Sequence, residues 1–324
     1  MSTALVFPGQ GSQAVGMGKR LAQEFAAARA VFDEVDVALG EKLSATMWEG
    51  PADKLTLTEN AQPALMAVSL AALRVLEAEA GFDLGRDVAF VAGHSLGEYS
   101  ALAAAQSLTI ADAARLLRTR GRAMQKAVPI GVGAMAALVG TNLDQAKAVA
   151  AQVADTGVCA AANDNGGGQV VLSGAKSAVE RAVEIAKEQG VKRAMILPVS
   201  APFHCPLMQP AADVMAEALS QVEVRRPRVP LVANVLAEPI SDPAAIVRAL
   251  TRQVTDTVRW RESVLFMVEA GVTVFYEVGA GRVLTGLIKR IAEGATASTV
   301  GMPDDIAAFK TAHSKALRSG DVHV

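Results

Sequence analysis

Residues 87–105 read D-V-A-F-V-A-G-H-S-L-G-E-Y-S-A-L-A-A-A, and this segment carries the strongest structural signal in the chain. Its first six residues predict a buried strand, and the Ala- and Leu-rich run from Glu98 predicts a helix. A Gly-x-Ser-x-Gly between strand and helix makes a sharp, strained turn that exposes the Ser95 hydroxyl at the helix N-terminus. Free backbone N–H groups and the helix dipole there can stabilise an oxyanion. The sequence therefore predicts a nucleophilic Ser95, and a glycine-rich loop with a capping serine is the alternative.

A nucleophilic serine needs a general base, and the four histidines are His94, His204, His313 and His323. His313 and His323 lie in a polar C-terminal stretch, which we expect to form a surface helix and a frayed tail. His94 adjoins Ser95 in the chain, so its side chain should point away from the serine. His204 follows a predicted strand, in a loop stiffened by two prolines, and we predict it as the base. Cys205 is a competing nucleophile, but its side chain should diverge from that of its neighbour.

The composition is that of a soluble globular protein. The 324 residues are 51% hydrophobic and 20% charged, and this length predicts about two domains. Lys and Arg total 31 against 33 Asp and Glu, which argues against nucleic acid or an anionic membrane as a partner. The first residues lack a basic region, and the longest apolar stretch, residues 64–73, is too short to span a bilayer, so we expect no signal peptide and no membrane span. Two cysteines make neither a metal site nor a disulfide framework, so we expect a cytoplasmic protein.

Hydrophobic periodicity divides the chain into a larger α/β domain and an inserted small one. Residues 131–197 read strand-helix-strand-strand-helix-strand, the order of the ferredoxin-like motif. The flanking segments, 1–130 and 198–324, alternate strands and helices, and therefore predict a mainly parallel sheet covered on both faces. Their predicted strands are residues 4–7, 88–92, 229–234 and 272–278.

A glycine-rich turn follows the first predicted strand. Residues 7–14 read F-P-G-Q-G-S-Q-A and formally match the dinucleotide fingerprint, but no acidic residue ends a second strand about 20 residues later. Dinucleotide binding is therefore disfavoured. We instead expect this turn to bring a backbone N–H and the Gln10 side chain to a ligand at the sheet edge where Ser95 lies.

Arg120 lies on the apolar face of a predicted helix. A capping box at residues 109–112 begins the helix, and at about 100° per residue two sets of side chains separate onto opposite faces. One face carries Ala113, Leu116, Leu117, Arg120 and Met124, and the opposite one carries Arg115, Arg118 and Arg122, which we expect to face solvent. A buried guanidinium needs a carboxylate partner. That partner is either an internal Asp or Glu or the carboxylate of a substrate, which an arginine binds with two hydrogen bonds.

Four segments in order resemble the malonyl-CoA:acyl carrier protein transacylases, an acyltransferase family of bacterial type II fatty acid synthesis. They are F-P-G-Q-G-S-Q at 7–13, G-H-S-L-G-E-Y-S-A-L at 93–102, the arginine in R-G-R-A-M-Q at 120–125, and S-A-P-F-H at 200–204. The resemblance extends from the first strand to about residue 291. It implies an α/β-hydrolase-like core with a ferredoxin-like insertion.

The resemblance assigns a role to each of these residues. Ser95 would accept the acyl group, His204 would be its general base, and Arg120 would bind the free malonyl carboxylate. The backbone N–H groups of Gln10 and Leu96 would form the oxyanion hole, and Gln10 would also contribute to substrate binding.

Further positions match residues that the family places near its active site. Gln253 matches a glutamine whose backbone carbonyl orients the histidine, so no acidic third member is needed. Asn163 and Asn165 match asparagines near the pocket, although a hairpin turn at these positions is an equally good interpretation. Gln106 and Ala280 replace a glycine and a proline that are usual in the family, and we expect them to alter only local loop shape.

The resemblance implies a two-step exchange, in which malonyl-CoA acylates the serine and the phosphopantetheine thiol of acyl carrier protein then takes the malonyl group. It implies no metal or redox cofactor, and we expect a monomer. Six basic residues could dock the acidic carrier: Arg115, Arg118, Arg122, Lys126, Lys289 and Arg290. Two other classes of function stay open: a serine hydrolase, which has no need of Arg120, and a catalytically silent protein that binds the carrier.

Overall fold

The computed structural model describes residues 2–199 and 201–319. Its strands are β1 (Ser2–Phe7), β2 (Phe90–Gly93), β3 (Gly133–Val139), β4 (Cys159–Gly166), β5 (Gln169–Ala175), β6 (Arg193–Ile196), β7 (Leu231–Val232), β8 (Pro239–Ile240), β9 (Val272–Val278) and β10 (Thr296–Val300). Its helices are α1 (Lys19–Glu24), α2 (Ala26–Leu39), α3 (Leu43–Glu49), α4 (Ala52–Thr56), α5 (Thr58–Ala80), α6 (Leu84–Asp87), α7 (Gly97–Ala104), α8 (Ile110–Ala127), α9 (Leu143–Ala151), α10 (Lys176–Glu188), α11 (Gln209–Ser220), α12 (Pro243–Gln253), α13 (Trp260–Glu269), α14 (Val283–Ile291) and α15 (Pro303–Ser319). A short 3₁₀ helix, Pro206–Met208, precedes α11.

Six strands form the larger sheet, in the order β10-β9-β1-β2-β7-β8. Neighbouring strands are parallel except for β7 and β8. The central strand β1 is buried on both faces, as expected for a parallel strand covered by helices. Leu5 and Phe7 enter one hydrophobic core. Ala4 and Val6 enter another core on the opposite face, because successive side chains of a strand alternate. The predicted α/β fold with a mainly parallel sheet is confirmed.

Four antiparallel strands form the smaller sheet, in the order β4-β5-β3-β6. Helices α9 and α10 cover it with a separate core that includes Leu138, Val149 and Val179. β4 also joins this sheet to the rest of the protein, because the N–H of Asp164 donates to the carbonyl oxygen of Val258 at 2.9 Å. That residues 131–197 are a domain of their own stays a prediction.

The strands next to the site are shorter than the sequence predicts. β2 begins at Phe90 because Asp83 caps the short helix α6, which ends only at Asp87. β7 contains two residues rather than six, and Asn234 beyond it bonds instead to the Ser95 turn. The hydrophobic pattern predicts neither β8 nor β10. The sequence of β10, T-A-S-T-V, carries few large apolar residues, so its hydrophobic pattern is weak.

Helix α5 is the one described helix that is long and apolar enough, by length and composition, to cross a membrane. It contains 23 residues, so it extends beyond the predicted apolar stretch at both ends. Of its most apolar window, 83% is buried inside the protein, where it packs against α2 and α8. It is therefore a core helix, and its N-terminal half borders the site.

Two basic residues are buried where the sequence predicts exposure. His313 on α15 is 9% exposed and stacks on the ring of Phe309, so its expected surface position is wrong. His323 lies outside the described residues. Arg118 is 6% exposed and pairs with Glu41, because α8 packs against α2, α5 and α11 and is covered on more than one side.

Candidate active site

Ser95 lies in a tight turn between β2 and α7. Its φ is +55°, a left-handed conformation that residues other than glycine rarely adopt. A Cβ on Gly93 would lie 1.9 Å from the carbonyl carbon of Gly97, and a Cβ on Gly97 would lie 2.2 Å from the carbonyl oxygen of Phe7. Both positions therefore require glycine if the turn is to pack against β1. The turn holds the serine at the start of α7.

His204 contacts the Ser95 hydroxyl. Its Nε2 lies 2.8 Å from Ser95 Oγ, and its Nδ1 lies 2.7 Å from the backbone carbonyl oxygen of Gln253. Because a carbonyl oxygen only accepts, Nδ1 carries the proton and Nε2 is left to accept one from the serine. Burial and the nearby charge of Arg120 lower the pKa of His204 to about 3. The imidazole is therefore neutral at pH 7, as a general base must be.

Arg120 approaches the same hydroxyl from α8. Its side chain is 1% exposed, and Nη2 lies 3.0 Å from Ser95 Oγ. Nη2 also donates to Oε1 of Gln253 at 2.8 Å, and Nη1 donates to Oε1 of Gln62 at 2.9 Å. Within residues 2–199 and 201–319, no Asp or Glu forms an ion pair with Arg120, and its buried Nε has no hydrogen-bond partner. The guanidinium therefore keeps donor capacity for a ligand.

The backbone N–H groups of Gln10 and Leu96 donate no hydrogen bond within the described part of the chain. Leu96 is the N-cap residue of α7, where a helix leaves its first N–H groups unpaired. The N–H of Ser95 is not available, because it donates to Oδ1 of Asn234 at 2.8 Å. The Gln10 side chain points back to α5, where its Nε2 lies 3.4 Å from Oγ1 of Thr58. The two unpaired N–H groups are the candidates for stabilising a charged oxygen.

Three polar residues of the site are not predicted by the sequence patterns. Asn234 holds the Ser95 turn, since its Nδ2 donates to the carbonyl oxygen of Gly93 at 2.7 Å. Gln62 lies on the apolar helix α5 and contacts Arg120. Glu98 is 1% exposed, and its Oε1 accepts the N–H of Asn234 at 2.6 Å. A polar residue inside a buried apolar run needs a partner, and this signal could have identified Gln62 and Glu98.

Asn163 and Asn165 lie on β4, because the hairpin turn follows at residues 167–168. The interpretation of these asparagines as turn residues is therefore wrong. Asn165 Oδ1 lies 3.0 Å from Nε2 of His94, the residue before Ser95. Asn163 is 7% exposed and forms an isolated β-bridge with Val258. Through the contact between Asn165 and His94, the smaller sheet borders the Ser95 turn.

A serine in a strained strand-to-helix turn, beside a neutral histidine at the carboxyl end of a parallel strand, is the arrangement of α/β enzymes that work through an acyl-serine. A model of the acyl transferase domain family matches residues 4–322. The chain belongs to this family and, within it, to the malonyl CoA-acyl carrier protein transacylases, as its relatives show.

Three relatives carry this conclusion. The Malonyl CoA-acyl carrier protein transacylase of Escherichia coli (strain K12) is 47% identical over 305 residues, which are 94% of this chain and 97% of that protein. The crystal structure of an acyl-carrier-protein-S-malonyltransferase from Bartonella henselae is 55% identical, with a TM-score of 0.95, and covers 97% of this chain and 100% of its own. The third relative is a structure of a type II PKS acyl-carrier protein in complex with its malonyl-transacylase. It is 42% identical, with a TM-score of 0.92, and covers 96% of this chain and 100% of its own.

Proposed function

We propose that this protein transfers the malonyl group of malonyl-CoA to the phosphopantetheine thiol of acyl carrier protein, through an ester on Ser95. The reaction supplies chain-extender units for fatty acid biosynthesis. Membership of the transacylase family supports the substrates, and the contacts of Ser95 support the route. One observation carries the proposal: Arg120 is buried 3.0 Å from the serine hydroxyl, without a carboxylate partner among the described residues.

In the first half-reaction, Ser95 Oγ attacks the thioester carbonyl carbon of malonyl-CoA while His204 Nε2 takes the serine proton. A C–O bond forms, and the carbonyl oxygen becomes an oxyanion that the N–H groups of Gln10 and Leu96 stabilise. The oxyanion then collapses, the C–S bond breaks, and the CoA sulfur leaves with the proton held by His204. The products are malonyl-Ser95 and free CoA.

The second half-reaction runs the same chemistry in the opposite direction. His204 takes the proton of the phosphopantetheine thiol, and the thiolate attacks the ester carbonyl of malonyl-Ser95. The same two N–H groups stabilise the oxyanion, the C–O bond breaks, and Ser95 recovers its proton from the histidine. Because the free energies of a thioester and an ester are similar, exclusion of water decides whether transfer or hydrolysis follows.

Arg120 selects a substrate whose acyl group ends in a carboxylate. The malonyl carboxylate supplies the ion-pair partner that the guanidinium lacks in the free protein, and two parallel N–H···O bonds fix its orientation. An acetyl group leaves the guanidinium buried without a counter-charge, which is unfavourable. Substrate binding is assigned to five residues in all: Gln10, Arg120, Asn163, Asn165 and Gln253.

The carrier is acidic, and the basic residues left to contact it are fewer than the sequence predicts. Arg118 is buried and Arg122 donates to Glu59, so neither offers a free charge. Lys289 and Arg290 lie in the last turn of α14 and are exposed. We assign carrier docking to this end of α14, and we expect the protein to be a cytoplasmic monomer.

The mass of the intact protein after incubation with malonyl-CoA tests this proposal. The wild-type protein should gain the mass of one malonyl group, and Ser95→Ala should gain none. Ser100→Ala is the matched control, since Ser100 is a fully buried serine of α7, the helix that follows the Ser95 turn, and its replacement should leave the adduct intact. A stoichiometric adduct on Ser95→Ala would contradict the assignment.

A further inference from the structure

Glu98 is a buried carboxylate directly behind the nucleophile. It lies in the first turn of α7, and no Lys, Arg or His within residues 2–199 and 201–319 forms an ion pair with it. Its two oxygens are nevertheless fully used: Oε1 accepts the N–H of Asn234, and Oε2 accepts Nε2 of Gln253. Burial raises the pKa of Glu98 to about 8, and these hydrogen bonds and the charge of Arg120 limit the rise. Both contacting groups are donors, so each oxygen of Glu98 acts as a hydrogen-bond acceptor.

The amide of Gln253 is the next link. Its Nε2 donates to Glu98 and, at 2.9 Å, to the carbonyl oxygen of Ser95. Its Oε1 accepts Nη2 of Arg120 at 2.8 Å. An amide can be turned by 180° at little steric cost, and the turned form would place an N–H group against the guanidinium. Because Oε2 of Glu98 is the acceptor at this contact, Glu98 favours the orientation that presents Nε2 of Gln253 to it.

We propose that Glu98 is a positioning residue that fixes the side-chain amide of Gln253 and, through it, aims the Arg120 guanidinium at the acyl group on Ser95. The inference rests on the proposed function, and it concerns the preference for a malonyl over an acetyl group. His204 is less affected, because it bonds to the backbone carbonyl of Gln253 and not to its side chain. Glu98 therefore acts on substrate selection more than on proton transfer.

Glu98→Gln tests this inference with little change of shape. The new amide keeps one acceptor and presents an N–H₂ group on the other side. If its oxygen accepts the N–H of Asn234, its nitrogen faces Nε2 of Gln253. The amide of Gln253 then either turns and directs a donor at Arg120, or is displaced by the opposed N–H group. We expect the ratio of kcat/KM for malonyl-CoA to that for acetyl-CoA to fall at least tenfold, mainly through a higher KM for malonyl-CoA.

Glu277→Gln is the matched control. Glu277 is also 1% exposed, and its two oxygens accept the N–H groups of Leu284 and Thr285 at the start of α14, at 3.0 Å and 2.7 Å. It makes no hydrogen bond to the residues around Ser95. Its replacement should lower the melting temperature and leave the substrate ratio within twofold of wild type. Equal losses for malonyl and acetyl transfer in Glu98→Gln, as for a merely destabilised protein, would overturn the inference.

A double variant keeps the test decisive even if Glu98→Gln folds poorly. Gln253→Met retains the backbone carbonyl that bonds to His204 and removes the amide. If Glu98 acts through that amide, adding Glu98→Gln to Gln253→Met should change the ratio less than twofold. Additive effects of the two substitutions would overturn the inference. Absence of malonyl transfer in the wild type would instead refute the proposed function, so the two failures are distinguishable.

Discussion

Replacement of Arg120 by Ala removes a buried positive charge beside the nucleophile. In the free protein this guanidinium bonds to Gln62, to Gln253 and to Ser95 Oγ, all of which are neutral. Glu98 interacts with this charge through space but forms no ion pair with it, so a substrate carboxylate can still supply the ion-pair partner. The substitution should reduce malonyl transfer selectively, because an acetyl group makes no use of this charge.

The magnitude follows from the bonds that are lost. Hydrogen bonds between charged groups contribute about 1.5–3 kcal/mol each, so a two-bond contact contributes about 3–6 kcal/mol. Since about 1.4 kcal/mol corresponds to a tenfold change, kcat/KM for malonyl-CoA should fall at least about 100-fold. Acetyl transfer should fall much less, because an acetyl group makes no ion pair with Arg120 and the substitution removes a guanidinium that would stay buried without a partner. The ratio of malonyl to acetyl transfer should therefore fall by about two orders of magnitude.

The assay measures kcat/KM for malonyl-CoA and acetyl-CoA on the same preparation, normalised to folded protein. Normalisation matters because the substitution leaves Oε1 of Gln62 and Oε1 of Gln253 without their donor, and an unpaired buried acceptor costs about 1–3 kcal/mol. Arg118→Ala is the matched control, since Arg118 is buried on the same helix but pairs with Glu41. It should lower stability and leave the ratio unchanged. Equal losses of both activities in Arg120→Ala would contradict a role for Arg120 in binding the malonyl carboxylate.

Three further predictions concern the base, the pH dependence of stability and the backbone. His204→Ala should lower kcat/KM by about two to four orders of magnitude, measured as CoA release, and near-normal turnover would move the base to another residue. Folding lowers the pKa of His204 to about 3, from about 6.5 in the unfolded chain. Below about pH 6.5 the unfolded chain therefore binds a proton that the folded protein does not bind, and the folded state loses stability as the pH falls. At pH 5 this loss is about 2 kcal/mol. His204→Asn should therefore remove about that much of the decrease in the free energy of unfolding between pH 7 and pH 5. An unchanged decrease would contradict the lowered pKa. Gln106 is exposed and has a φ of +61°, a left-handed conformation that glycine adopts more easily. Gln106→Gly should therefore raise the free energy of unfolding by about 1 kcal/mol in denaturant titrations. No gain in stability would show that the conformation is not strained.

The parts of the site that sequence analysis found are those governed by local rules. The turn around Ser95 depends on Gly93 and Gly97, which lie only four residues apart in the chain and are therefore visible as a local motif. The burial of Arg120 follows from helical periodicity on α8, and this expectation is confirmed by its 1% exposure. The same periodicity is wrong for Arg118, because a second layer of helices covers the other face of α8, and no pattern within one helix reports its neighbours.

The parts that it missed depend on long-range contacts. Asn234 bonds to Ser95 across 139 residues, and Glu98 meets Gln253 across 155 residues. Neither pair can be inferred from spacing, because the sheet order places β7 beside β2 although the two strands are far apart in the chain. β10 was missed for a different reason, since an edge strand needs little apolar surface to pair.

The fate of the acyl group in a single turnover distinguishes an acyltransferase from a hydrolase. The malonyl-Ser95 protein is freed of CoA and mixed either with acyl carrier protein that bears phosphopantetheine or with buffer alone. The proposed function predicts rapid, stoichiometric formation of malonyl-carrier in the first mixture and a stable ester in the second. Release of free malonate at the same rate in both mixtures would contradict it, and would show that the protein is a hydrolase.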